Sequence, residues 1–473
     1  MLFNSLEFLI FFPIVCTIYF LLRKTKHRNL FLLFASYYFY MSWKPVYALL
    51  ILTSTILTYG CGLLVEHHAE NESKKKAFLT ISLVINFAIL FLFKYYNFIG
   101  NSITALLTAC GLGLKVPNLE VLLPVGISFY TFQAVGYSID VYRGTIKAER
   151  NFFTYALFVS FFPQLVAGPI ERAKNLLPQF HEGHSFSYEN AVEGFKQMLW
   201  GFFMKLCVAD VLAEYVDAVF NNVPQHTGTS MLLATFFFTF QIYCDFGGYS
   251  NIAIGAARVM GFRLMENFHR PYYSLNIKEF WKRWHISLSS WFMDYVYIPL
   301  GGNRVRYLRH LTNLMITFLV SGLWHGANWT FVIWGALHGT YIVVYNIWCR
   351  FVHNPSFEST WSRVLNTVFC FLLVAFAWIF FRANNVSDAF VIVSKIFTDF
   401  GQLHQPSGKT FFIYSFAALA ILIFKDTKDH CMWNINFMHS QSIAIRYIFT
   451  VALTAYILLF GAFTSGQFIY FQF

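Results

Sequence analysis

A dozen long apolar stretches, many of them close to the ~20 residues that carry a helix across a bilayer, leave this chain few ways to fold. They run Leu6–Leu22, Leu30–Trp43, Val46–Val65, Ala77–Phe98, Phe152–Val166, Phe195–Phe220, Met231–Tyr243, Leu311–Leu323, Trp329–Cys349, Val364–Phe381, Phe411–Phe424 and Tyr447–Phe463. Charged residues make up only 12% of the chain, against roughly 25% in soluble domains. A water-soluble fold could not hide the 57% that is hydrophobic, so lipid must cover the excess. The expected fold class is all-α: a polytopic integral membrane protein of about 11–12 spans.

Several stretches are interrupted. Leu122-Leu-Pro-Val-Gly-Ile-Ser-Phe-Tyr130 and Gln164-Leu-Val-Ala-Gly-Pro-Ile170 break helical continuity with Pro and Gly. Non-helical backbone at membrane depth survives only where protein or a water-filled cavity shields it. These segments predict re-entrant elements around a central cavity. With no internal repeat or linker, the chain reads as one integral-membrane domain, 1–473: N-terminal spans to 115, a core over 116–350, and C-terminal spans with an aromatic tail over 351–473.

The formal charge is +11. No nucleic-acid signature accompanies it, and basic loops are what the positive-inside rule produces. The first loop, Arg23-Lys-Thr-Lys-His-Arg28, holds four basic residues and no acid. That puts it in the cytoplasm and the N-terminus outside, and an even span count returns the C-terminus outside. No signal-peptide pattern precedes the first span, which reads as retained. The eight cysteines show no C-x-x-C pair and read as small apolar residues, with no metal site implied.

Two Trp-His elements carry the chemical interest. In Trp281-Lys-Arg-Trp-His-Ile-Ser-Leu-Ser-Ser-Trp291, helical spacing puts Trp281, Trp284, His285, Leu288 and Phe292 on one face, opposite Glu279, Lys282 and Arg283. Asn276 and Glu279 resemble a capping box at its start. The pattern predicts one amphipathic helix at the membrane surface, with His285 on the buried side as a structural or a functional histidine. In Ser321-Gly-Leu-Trp-His-Gly-Ala-Asn-Trp329, His325 stands between glycines at the end of an apolar segment. An ionisable group at membrane depth marks function by default, and a neutral imidazole can take a proton from a hydroxyl. The glycines would permit a helix break and close approach of a substrate; a satisfied core histidine is the competing reading. His338 reads as packing or support. Asp245, an acid in an apolar region, could orient a histidine or cap a helix. Basic residues between 258 and 309 could hold a phosphate-rich donor or contact lipid headgroups. The tail Gly466-Gln-Phe-Ile-Tyr-Phe-Gln-Phe473 is aromatic where chains normally turn polar, and would tuck inside or anchor at the interface.

These segments together resemble the bacterial alginate O-acetyltransferase branch of the membrane-bound O-acyltransferase superfamily. The similarity rests on Met1–Phe8, Pro124–Gln133, Gln164–Pro169, Asp245–Ser250, Phe280–Ser289, Tyr297–Arg304, Ser321–Gly326 and Trp378–Ala383. The resemblance implies helices around a tunnel, with His325 as the essential catalytic residue and His285 as a second site histidine. Trp284, Trp324, Asp245, His338 and Asn328 are expected around them, and Lys282, Arg283 and Arg304 at the donor's phosphates. It implies acetyl-CoA as donor substrate with no bound cofactor or metal, an extracellular polysaccharide as final acceptor, and an esterase-like (SGNH-type) partner outside a bacterial cytoplasmic membrane. Tyr470 is expected to relay the acyl group. Peptidoglycan and teichoic-acid acyltransferases resemble it too. A transporter without covalent chemistry is the alternative class; it gives no reason for two Trp-His elements.

Overall fold

Helix covers the body of all twelve apolar stretches in the computed structural model, which describes every residue except 167, 353–358, 407, 409, 434–436, 439, 441 and 464–473. Among the described residues the regular elements are all helical. Seven helical segments are long and apolar enough to cross a membrane: Pro45–His67, Glu72–Ala109, Gly228–Val259, Trp329–Phe351, Thr360–Arg382, Thr410–His430 and Ile443–Phe460. The other five predicted stretches fold as helices that are shorter, broken or less apolar, such as Leu6–Leu21 and the pair Phe152–Ser160 and Phe162–Leu165. Seven of the twelve expected stretches thus lie in helices that meet both length and apolarity, while Leu6–Leu21, Thr25–Met41 and Tyr307–His325 are continuous but shorter or less apolar.

The chain divides into two compact units. The first comprises Met1–Phe195 and Ala253–Met265; the second, Lys196–Ile252 and Glu266–Phe473.

In the first unit the two interrupted segments meet. Gly126 (φ +74°) begins the buried Ile127–Tyr142 helix, and a Cβ there would stand 2.7 Å from the Leu165 carbonyl oxygen. Where the chain breaks at Phe161, the freed amide of Phe162 donates to Ser36 Oγ at 3.1 Å. The side-chain amides of Gln133 and Gln164 both donate to the Phe158 carbonyl at 2.7 Å. Buried backbone groups left by the break are therefore satisfied inside protein, as lipid depth demands.

In the second unit, Tyr307–His325 and Trp329–Phe351 form a tight helical hairpin. A Cβ on Gly322 would lie 2.3 Å from the Phe331 carbonyl oxygen, and one on Gly335 2.4 Å from that of Phe318. Small residues let the two backbones touch, the normal device for helix pairs in lipid. A π-helical turn, Phe203–Ala209, carries Lys205 into the interior, where its Nζ bonds Asp210 Oδ1 at 2.7 Å and Asp245 Oδ1 at 2.6 Å. The same turn leaves the Leu206 carbonyl to accept from the Ala462 amide at 3.0 Å.

Candidate active site

The predicted amphipathic helix is in fact two. Ile277–Arg283 and Ile286–Phe292 meet at His285, which adopts φ +42°, ψ 54°. The cap reading holds locally: Asn276 Oδ1 accepts from the Glu279 amide at 2.9 Å, and Glu279 Oε2 accepts from the Leu275 amide at 2.8 Å. Trp284, Leu288 and Phe292 are buried with His285, so the apolar side survives the break. A left-handed, non-glycine residue is strained, and such strain concentrates at functional positions.

Asn267 holds that turn. Its side-chain oxygen lies 3.0 Å from His285 Nδ1 and 2.9 Å from Ser287 Oγ, and its carbonyl accepts from the Ile286 amide at 2.9 Å. Its amide nitrogen donates to Ser250 Oγ at 3.1 Å. One turn before Ser250, Phe246 packs perpendicular to His285, ring centres 4.6 Å apart. Burial disfavours the imidazolium and pulls the His285 pKa down to about 3.

His325 ends its helix, with Gly326 extended beyond it. Its ring centroid lies 6.3 Å from that of His285, 5.0 Å from Trp324, 4.9 Å from Trp334 and 5.3 Å from Phe381. His325 is 2% exposed. The glycines beside it serve the protein rather than open space: a Cβ on Gly326 would collide with the Phe331 ring. Asn328 caps the next helix, accepting from the Thr330 amide at 3.1 Å, while its own amide donates to the Asn384 carbonyl at 3.0 Å.

His338 is buried one aromatic layer away, with Trp334 4.9 Å from its ring and from that of His325. Its Nδ1 accepts from Trp281 Nε1 at 3.3 Å. Trp284 lies between Phe268 and Trp378, each 5.0 Å away. Asp245 sits within Gly228–Val259, away from either helix end, and pairs with Lys205. Of the three cations expected at donor phosphates, Arg283 pairs with Glu279 at 2.5 Å, while Lys282 and Arg304 are exposed. Tyr470 lies outside the described residues.

A cavity of about 600 Å³ opens nearby, lined by Trp200, Tyr243, Phe268, Arg270, Lys425 and Asp426 among others. Phe268 is common to both places: it lines the cavity, and its ring stacks 6.3 Å from His285. Asn267 and Phe268 had no sequence signal; Phe246 and Ser250 lie in the Asp245–Ser250 segment that carries the resemblance, but no spacing tied either to the histidines.

Comparison with known proteins identifies the family. The family "MBOAT, membrane-bound O-acyltransferase" matches residues 32–385. "Probable alginate O-acetylase AlgI" of Azotobacter vinelandii is 42% identical over 400 residues, 84% of this chain and 78% of its own length. "Peptidoglycan O-acetyltransferase" of Helicobacter pylori is 34% identical over 83% of this chain and 79% of its own. "Teichoic acid D-alanyltransferase" of Streptococcus thermophilus is 30% identical over 58% and 69%. With a family match over most of its length and relatives of this similarity, the chain belongs to the membrane-bound O-acyltransferases and is an O-acyltransferase.

Proposed function

We propose that this protein moves acetyl groups from cytoplasmic acetyl-CoA through the membrane to an extracellular polysaccharide. The observation that carries the reading is the 6.3 Å approach of two buried histidines from separate Trp-His elements. Relatives named for alginate and peptidoglycan acetylation support acetyl as the group and a glycan as the acceptor.

In the first step a hydroxyl oxygen attacks the thioester carbonyl. His325 takes the hydroxyl proton as the new C–O bond forms. The C–S bond then breaks, and the thiolate leaves with that proton. His285, neutral and fixed by Asn267, supports the transfer. We assign the first hydroxyl to Tyr470, which would carry the acetyl ester outward to an esterase-like (SGNH-type) partner for delivery to the polymer. Dividing the transfer into two covalent steps is the usual logic of nucleophilic catalysis. Trp284 and Trp324 wall the tunnel in this reading, and Asn328 and His338 support it. Lys282, Arg283 and Arg304 face the donor side. In this reading the membrane is the bacterial cytoplasmic one and both termini lie outside, an orientation that the basic first loop supports. Because His325 is buried, its aromatic neighbours need to yield as substrates arrive. A peptidoglycan acceptor is the second reading, favoured by the Helicobacter pylori relative.

His325→Ala tests the proposal. Acetylation of the polymer should fall by about 10² to 10⁴, the typical worth of general-base catalysis, while the protein stays folded in the membrane. Normal acetylation by the folded variant would overturn the reading.

A further inference from the structure

The contacts of Asn267 decide which nitrogen of His285 carries its proton. Asn267 is buried, and its side-chain oxygen lies 3.4 Å from the backbone N–H of Ser287. A backbone N–H can only donate, so the atom facing it is the oxygen and the amide orientation is fixed by chemistry. The amide nitrogen, on the other side, has Ser250 Oγ as its acceptor at 3.1 Å. The oxygen stands 3.0 Å from His285 Nδ1. An acceptor at that place requires a hydrogen on Nδ1, and in a neutral ring the lone pair then belongs to Nε2.

We propose that Asn267 is a positioning residue that locks His285 as the Nδ1–H tautomer, making Nε2 a hydrogen-bond acceptor for a hydroxyl or thiol during acyl transfer. The inference rests on the reading of His285 as a site residue. Among the described residues, the ring contacts given for His285 are with Phe246, Phe268, Trp324 and His325, of which His325 alone carries an ionisable side chain. An aromatic setting with an uncharged acceptor favours the neutral ring; a carboxylate in place of the Asn267 amide would favour the cation.

Two measurements on the full-length protein in membranes test it. Nitrogen-15 spectra of labelled histidine, assigned by loss of the signal in His285→Gln, should show Nδ1 protonated and Nε2 bare. Asn267→Asp keeps the shape and the hydrogen bond, but should add an acid limb to the activity profile, falling about tenfold per pH unit below its midpoint. That limb should be absent from the unsubstituted protein and from Ser287→Ala, which leaves the Nδ1 contact in place. A spectrum with the proton on Nε2, or a profile of Asn267→Asp that superimposes on the unsubstituted one, would overturn the proposal. The tautomer is read without any turnover. If His325→Ala stayed active, the acyl-transfer reading would fail while the nitrogen signal stood, so the two failures are distinguishable.

Discussion

His285 and His325 face each other at 6.3 Å although one occupies a left-handed turn between two short helices and the other terminates a long one. Neither backbone is free to move alone. The first is tied to Asn267, and the second to the hairpin closed by Gly322 and Gly335. Ring and backbone therefore make separate demands at position 285, and substitutions can separate them. His285→Ala and His285→Gly should both lower acyl transfer, by roughly 10²-fold or more. Glycine accepts φ +42° without strain, so His285→Gly should melt above His285→Ala by about 0.5–1 kcal/mol in detergent. Full activity in either variant would show that the imidazole is dispensable.

The hairpin gives the second prediction. A side chain on Gly322 or Gly335 would be driven into a carbonyl oxygen of the facing helix, at 2.3 and 2.4 Å. Gly322→Val and Gly335→Val should each destabilise by about 1–3 kcal/mol, the range for overpacking, and activity should fall with the displacement of His325. Gly60 is the control: nothing lies within 4 Å of a Cβ there, so Gly60→Ala should be neutral or slightly stabilising. Equal melting of all three variants would dismiss the close-approach argument.

Why the sequence disclosed some of this and not the rest follows from the range of the forces involved. Apolar length is a local property, and helix covers the body of every stretch it marked. The end of the helix at His325 was likewise local, set by Gly326. The break at His285 was not legible, because the spacing of Trp281, Trp284, Leu288 and Phe292 suits a continuous helix. The bonds to Asn267, reaching across eighteen residues, help hold the turn open. Gly322 and Gly326 were visible as small residues, but whether the space beside them holds substrate or protein depends on Phe331, a tertiary neighbour. Asp245 was readable as a buried acid; its partner Lys205, forty residues away on a π-helical turn, was not.

That ion pair is the third case. Lys205, Asp210 and Asp245 have side chains only 2–4% exposed. Lys205→Met would leave two buried carboxylates facing one another without their shared cation. Breaking a buried pair in this way costs about 3–5 kcal/mol, so the variant should melt lower or fail to accumulate. Neutralising both acids alongside it, with Asp210→Asn and Asp245→Asn, should restore much of the loss. If Lys205→Met melts like the unsubstituted protein, the cluster has no structural weight.

The acyl relay can be separated from the enzyme assignment by one oxygen atom. Tyr470→Phe keeps the aromatic ring and removes only the hydroxyl that would accept the acetyl group. Under the proposed sequence of steps the variant should fold normally and leave the polymer unacetylated, because no ester can form at that position. Adding back hydroxyl-bearing phenols of small size should restore some consumption of acetyl-CoA, since His325 would still have a proton to take. Were Tyr470→Phe to acetylate the polymer at the normal rate, the acceptor hydroxyl would have to come from elsewhere. The demands on His325 would be unchanged: a base beside a thioester serves any hydroxyl that reaches it.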